Sequence, residues 1–98
     1  MIPPPPFMMK KKNVMALAKY GFEVFTEVLM RDGMNCIYCG RRVRFAYNGH
    51  DQAGDILTFD HRVPKSRGGR STVENLGVAC RRCNNRKRNK TEEEFRNG

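Results

Sequence analysis

The four cysteines of this 98-residue chain form two C-x-x-C pairs, Cys36 with Cys39 and Cys80 with Cys83. A tight turn across each pair brings two sulfurs together, and two such pairs complete the tetrahedral set of thiolates that a structural zinc ion takes. Because all four ligands then come from the protein, the ion would stabilise the fold and take no part in a reaction. Two disulfides or free buried thiols are the alternative, which the doubled spacing disfavours.

An acid and an imidazole stand side by side at Asp60 and His61, directly after the apolar segment ILTF. A carboxylate can bind a hard divalent cation while a neutral imidazole accepts a proton from water, and phosphodiester hydrolysis uses both tasks. An isolated Asp-His dipeptide is more often a surface pair. Its position between the two cysteine pairs, which zinc would bring together, favours a functional site. His50, in the polar segment NGHDQAGD, is expected to be solvent-exposed.

The chain is strongly basic, with a formal net charge of +9 and a pI of about 9.9. Such a charge attracts polyanions, nucleic acid first and an anionic membrane surface second. From Arg62 to Lys90, ten of 29 residues are basic and only Glu74 is acidic. We therefore predict contacts to backbone phosphates from this loop and the following helix. The residues expected to make them are Arg62, Lys65, Arg67, Arg70, Arg86, Lys87 and Arg88.

The composition, with 39% hydrophobic residues and no tryptophan, predicts one small domain whose modest core needs a metal or disulfide staple. The proline- and lysine-rich residues 1–12 are predicted to be a disordered arm, and residues 13–98 a single domain. No secretory signal or membrane-spanning stretch is recognisable in the sequence, so we expect a protein of the reducing cytoplasm.

Apolar residues at helical spacing predict one helix over residues 13–32. Asn13 would cap this helix at its start, and Gly33 would end it in a left-handed turn. Gly21 in its interior is expected to weaken the helix without breaking it.

The zinc-bound core is predicted to run from about residue 34 to residue 90. The segments RVRFAY and ILTF predict two strands, joined as a hairpin through NGHDQAGD. A glycine-rich loop follows, and then a basic helix that begins near Cys80. Thr91, followed by three glutamates, predicts the N-cap of a last short helix.

Several of these segments together resemble the HNH endonuclease family. The matching segments, which span about Val28 to Thr91, are VLMRDG, CIYCG, TFDHRVPKSRGG, ENL and CRRCNNRK. The resemblance implies an α+β fold, the small zinc-stapled ββα-metal (His-Me finger) domain, here with an N-terminal helix and a short C-terminal helix. It also implies a metal-dependent endonuclease that hydrolyses DNA. Small proteins of this family are frequent in phages, so a phage-encoded protein acting in a host cell fits the resemblance.

The resemblance assigns roles to four residues. His61 is the expected general base that activates the attacking water, and Asp60 is an expected ligand of a catalytic Mg²⁺ or Mn²⁺ ion. Asn75 is expected to tie the loop together and to help orient the histidine. Asn84 stands where the family name expects a histidine, and some family members bind the metal through an asparagine there. The resemblance thus implies an H-N-N variant whose products carry 5′-phosphate and 3′-hydroxyl ends.

A non-catalytic zinc-ribbon module that binds DNA or RNA by charge alone is the alternative. The enzyme is favoured because such a module has no need for Asp60, His61 or Asn75. A membrane-surface protein is a third hypothesis, and it rests only on the three lysines at residues 10–12. The expected partner is the DNA backbone with little reading of base sequence, and the expected state is a monomer or a homodimer.

Overall fold

The computed structural model describes residues 15–98, with only the backbone described for Met15. This part of the chain is an α+β domain, which confirms the predicted fold class. Its elements are helices α1 (Met15–Tyr20) and α2 (Phe22–Asp32), strand β1 (Leu57–His61), a 3-10 turn (Lys65–Arg67), strand β2 (Leu76–Cys80), and helices α3 (Arg81–Lys87) and α4 (Glu92–Asn97). The predicted arm over residues 1–12 and the predicted cap at Asn13 lie outside the described residues.

The structure has two helices where the sequence predicts a single N-terminal helix, because the helix is interrupted at Gly21. The φ of Gly21 is 87°, a value that glycine adopts without steric cost and that interrupts the helical backbone. The prediction that Gly21 weakens the helix without breaking it was therefore wrong. Gly33 does end α2 with a positive φ of 71°, and its N–H bonds to the carbonyl of Leu29 at 2.7 Å. Its ψ of −170° is extended, however, and not left-handed helical.

The two strands pair antiparallel, with Leu57 opposite Cys80 and His61 opposite Leu76. The predicted hairpin between RVRFAY and ILTF was wrong, because residues 42–47 make only isolated bridges. The reason lies in burial. Strand β1 is largely buried and needs a neighbour that can be buried with it, and all five residues of β2 are buried. The segment RVRFAY instead directs Arg44 outward to the carboxylates of Asp51 and Asp55.

Helix α2 covers the sheet and is fixed to it by packing and by polar contacts. Val28 is fully buried, and the ring of Phe25 stacks on that of Phe59 with centroids 5.6 Å apart. At the end of the helix the carboxylate of Asp32 accepts the backbone N–H of Val78 at 3.0 Å. Burial alone would raise the pKa of Asp32, but the guanidinium of Arg31 and this N–H outweigh burial and lower it.

The last helix begins with the capping box predicted at Thr91. The hydroxyl of Thr91 accepts the N–H of Glu94 at 3.1 Å, and the Glu94 carboxylate accepts the N–H of Thr91 at 3.0 Å. The helix packs Phe95 edge-on against the ring of Tyr38, with centroids 5.2 Å apart. None of the helices described is long and apolar enough to cross a membrane.

The connection between β1 and β2 is closed by one asparagine side chain. Asn75 accepts the N–H of Val63 at 2.9 Å and donates to the carbonyls of Val63 and Arg70 at 3.0 and 2.9 Å. Gly69 lies directly against this clamp, so close that a Cβ on it would stand 1.7 Å from the carbonyl oxygen of Val63. The loop geometry therefore requires glycine at position 69.

Replacing Gly69 with alanine should open the loop and destabilise the fold. We expect Gly69→Ala to lower the free energy of unfolding by about 1–3 kcal/mol, as overpacked sites do. Gly49→Ala is the matched control, because a Cβ there meets nothing within 4 Å, and its effect should stay within about 0.5 kcal/mol. Urea unfolding of both variants measures the difference. Equal stabilities would show that the loop can move aside.

Candidate active site

The four cysteines converge on one point, as their spacing predicts. Their sulfur atoms all lie within 4.8 Å of one another, and those of Cys39 and Cys80 are 3.8 Å apart. That distance is far beyond a disulfide bond of about 2.0 Å, and all four residues are free thiols. Cys36, Cys80 and Cys83 are buried, while Cys39 is exposed.

Local backbone geometry presents these sulfurs. Cys36 lies in a turn closed by the N–H of Gly40 on its carbonyl, at 2.9 Å. Cys80 ends β2 and caps α3, with its sulfur accepting the N–H of Cys83 at 3.4 Å. The first pair thus sits on a turn and the second on a strand-to-helix junction.

The thiols form a donor set that suits a divalent cation. Burial would raise the pKa of Cys36, but backbone N–H groups, including those of Cys39 and Tyr38, lower it to about 7. Burial and the neighbouring Cys36 charge raise the pKa of Cys83 far above its ordinary value. Four thiolates this close repel one another, so they can ionise together only around a positive ion. Zn²⁺ fits this set in ligand type and number.

The carboxylate of Asp60 is buried and held by two partners. Its Oδ2 accepts the hydroxyl of Tyr38 at 2.5 Å and lies 3.0 Å from Nζ of Lys87. Its Oδ1 has no partner in residues 15–98. Burial and the bond to Asp60 raise the pKa of Tyr38, so its hydroxyl keeps its proton and donates.

Lys87 corrects one sequence prediction. Its side chain is 0% exposed, and its Nζ also donates to the carbonyl of His61 at 2.8 Å. A phosphate contact from Lys87 was predicted, and this is wrong because the ammonium is sealed against β1. Lys87 follows Cys83 by four residues, so the two lie on the same buried face of α3.

The imidazole of His61 lies at the end of β1, directly after Asp60. It is 9% exposed, packs edge-on to the ring of Tyr20 at 6.0 Å, and places Nε2 2.9 Å from the hydroxyl of Ser71. Burial, with the charge of Lys65 as a further cause, lowers the pKa of His61. The ring is therefore neutral at neutral pH.

Ser71 was missed by sequence reasoning, and no local signal marks it. It follows Arg70, whose carbonyl the side chain of Asn75 holds at 2.9 Å. The Asn75 clamp therefore positions the residue that touches His61, which links Asn75 to the histidine through the loop and not by direct contact.

Asn84 is half-buried on α3, and its side chain reaches β1. Its Nδ2 donates to the hydroxyl of Thr58 at 3.0 Å, and Thr58 donates to the carbonyl of Ala79 at 2.8 Å. These bonds leave Oδ1 of Asn84 without a partner in the described part of the chain. Thr58 lies two residues before Asp60 on the same strand face, so Asn84 and Asp60 approach the sheet from one side.

The remaining predicted phosphate contacts divide into two groups. Arg62 pairs with Glu92 at 2.8 Å and Arg67 pairs with Glu94 at 2.5 Å, so α4 already engages both loop arginines. The other four are exposed and have no acidic partner among residues 15–98. These are Lys65, Arg70, Arg86 and Arg88.

Residues 36–90 match the family model described as HNH endonuclease, which is more than half of the chain. The chain belongs to the HNH endonuclease family. The matched span runs from the first cysteine to just beyond α3, and so contains the cysteine cluster, Asp60, His61, Asn75 and Asn84. No curated protein matches the chain.

Removing zinc should unfold this HNH domain, because the cysteine cluster joins the first turn to the β2–α3 junction. We expect native mass spectrometry to find one zinc ion per chain. A strong chelator should abolish the cooperative thermal transition, and added Zn²⁺ should restore it. A stripped chain that keeps the wild-type transition would contradict a structural role for the ion.

Proposed function

We propose that this protein is a metal-dependent HNH endonuclease that hydrolyses DNA phosphodiester bonds, with His61 as general base. The observation that carries the proposal is the His61 imidazole, which is buried, neutral and fixed by Ser71 at the end of β1. Family membership supports the reaction class. A base of this kind must be neutral and oriented before substrate arrives, and His61 meets both conditions.

The hydrogen bond to Ser71 suggests which nitrogen acts. When Nε2 carries the ring proton, its N–H donates a hydrogen bond to the Ser71 hydroxyl oxygen, which leaves the lone pair of His61 on Nδ1. That atom has no partner in the described part of the chain. In this tautomer Nδ1 takes a proton from the attacking water, whose oxygen bonds to phosphorus as the bond from phosphorus to the 3′ oxygen breaks. The 3′ oxygen then takes a proton from solvent, and Nδ1 releases its proton to solvent.

The residues present fit a hard divalent cation in chemical type. Asp60 and Asn84 each use one side-chain atom for a protein contact and keep an oxygen without one. Mg²⁺ and Mn²⁺ take such oxygens, and Mg²⁺ is commonly bound by one or two carboxylates together with substrate phosphate. Asp60 and Asn84 are the residues that would hold the ion. When bound, it supplies positive charge against the phosphate and the departing 3′ oxygen, which gives 5′-phosphate and 3′-hydroxyl ends.

The proposed partner is the DNA backbone. The exposed cations Lys65, Arg70, Arg86 and Arg88 flank the site and contact phosphates, so binding should weaken steeply with salt. Arg62 and Arg67 join them only when phosphate replaces the glutamates of α4. Little reading of base sequence is proposed, and the protein acts as a monomer or a homodimer in the reducing cytoplasm, including that of a host cell if it is phage-encoded.

One observation favours the non-catalytic alternative. The pairing of Asp60 with Lys87 compensates the carboxylate charge inside the fold, as a purely structural ion pair would. A zinc-ribbon module that binds nucleic acid by charge would keep this pair and use no divalent metal. The nicking experiment below distinguishes the two functions.

Removing the imidazole of His61 should abolish nicking without preventing folding. Plasmid incubated with the wild-type protein and Mg²⁺ or Mn²⁺ should be nicked, and His61→Ala should reduce the rate by about 10²- to 10⁴-fold. His50→Ala, which changes the exposed histidine, should behave as wild type. The wild-type rate should fall as the pH drops through the lowered pKa of His61, because the protonated ring cannot act as a base. A wild-type protein that binds plasmid without nicking it under any divalent metal would leave only the binding module.

Two adjacent asparagines offer a matched test of the proposed metal ligand. Asn84→Ala removes the free amide oxygen and should raise the Mn²⁺ concentration needed for half-maximal cleavage by at least about 10-fold, the usual order for a metal-site change. Asn85→Ala, which alters the exposed neighbour on the same helix, should leave that concentration unchanged. Electron paramagnetic resonance of Mn²⁺ measures binding independently of cleavage. Identical Mn²⁺ binding by both variants would remove Asn84 from the metal site.

A further inference from the structure

A cavity of about 230 Å³ opens between α1, the loop over residues 46–51, β1 and the start of α3. Its buried lining is apolar, while the side chains at its mouth are polar or charged. The buried lining includes Ala16, Leu57 and Phe59, and the mouth includes Lys19, Asn48 and Arg81. An apolar interior with a few polar groups is typical of a site for a small molecule.

The cavity borders one of the residues to which we assign the reaction and lies near another. Asn84 and Thr58 line it on one side. Tyr20 also lines it, and the centroid of its ring is 6.0 Å from that of His61. A phosphate positioned for His61 and Asn84 would therefore carry its adjoining nucleoside towards this opening.

The charges at the mouth fit a nucleotide. The guanidinium of Arg81 is held in place by the carbonyl and side-chain oxygens of Gln52, at 2.8 and 2.7 Å. Lys19, on α1, also lines the cavity. The carboxylate of Asp51, which also lines the cavity, is bound by Arg44 at 2.9 Å and so adds little negative charge. The opening of the cavity is therefore cationic and its interior is apolar. These two properties complement a nucleotide, whose phosphate is anionic and whose base has apolar faces.

We propose that this cavity binds the base of an unpaired nucleotide next to the scissile phosphate, an inference that rests on the proposed nuclease function. A base inside a duplex stays stacked and cannot enter a pocket, whereas an unpaired base enters at a small energetic cost. The substrate class is thus DNA with an unpaired nucleotide at the cleavage position.

The test compares three end-labelled oligonucleotide substrates of one sequence: a full duplex, a duplex with a single bulged nucleotide, and the same bulge without its base. We expect the wild-type protein to cut the bulged substrate about 10-fold faster than the duplex or more, as one stacked base can provide. The abasic bulge should lose most of that advantage. Equal rates on the bulged and abasic substrates would overturn the proposal, and this comparison needs no variant.

A variant that fills the cavity provides a second test of the proposed base site. Ala46→Leu places a larger side chain on the cavity lining and should bring the bulge-to-duplex rate ratio towards one. Ala18→Leu, an exposed change on α1 outside the lining, should keep the wild-type ratio. Thermal unfolding and zinc content establish that both variants are folded. An unchanged ratio in folded Ala46→Leu would count against the cavity as the base site.

The same substrates distinguish failure of the proposed nuclease function from failure of the proposed base site. If the wild-type protein cuts none of the three substrates, the nuclease proposal falls, and the inference about the cavity falls with it. If it cuts all three at one rate that depends on His61, the nuclease proposal stands and only the base site is wrong.

Discussion

The convergence of four cysteine sulfurs is the constraint on which the rest of this structure depends. Each pair carries a residue that the site uses. Tyr38 lies inside the first pair, and Lys87 follows the second by one helical turn. Closing the cluster brings both side chains to the same carboxylate, Oδ2 of Asp60. The cysteine cluster thus determines the surroundings of Asp60, which is proposed to hold a catalytic metal and is not part of the cluster.

The buried pair of Asp60 and Lys87 sets the electrostatics of the proposed site. Burying a charge without a partner is costly, and the paired ammonium offsets that cost while fixing the carboxylate. The compensation also means that Asp60 offers little net charge to a cation. A divalent cation would therefore need negative charge from another ligand, and the phosphate of the substrate supplies it. Because Lys87 is buried inside the fold, the proposed contact with DNA falls to the exposed cations.

Helix α4 shapes the remaining basic surface. The capping box and the helix dipole favour glutamates in the first turn of this helix. Two of them form ion pairs, Glu92 with Arg62 and Glu94 with Arg67. The helix also packs Phe95 onto Tyr38, next to the Asp60 contact. Helix α4 thus supports the loop that holds Ser71, and its glutamates form ion pairs with two arginines of that loop.

Several features could be predicted from the sequence because each depends on residues only a few positions apart. These are the cysteine pairs, the strand at ILTF, the capping box at Thr91 and the resemblance of the segments around His61 to the family. Only the tertiary structure decided the partner of β1, since pairing with residues 76–80 depends on which distant segment can be buried beside it. It also decided the burial of Lys87 and the contact of Ser71 with His61, as both join groups far apart along the chain. The break at Gly21 has the same origin. A glycine permits either a continuous helix or a bend, and packing of α1 and α2 on the sheet selected the bend.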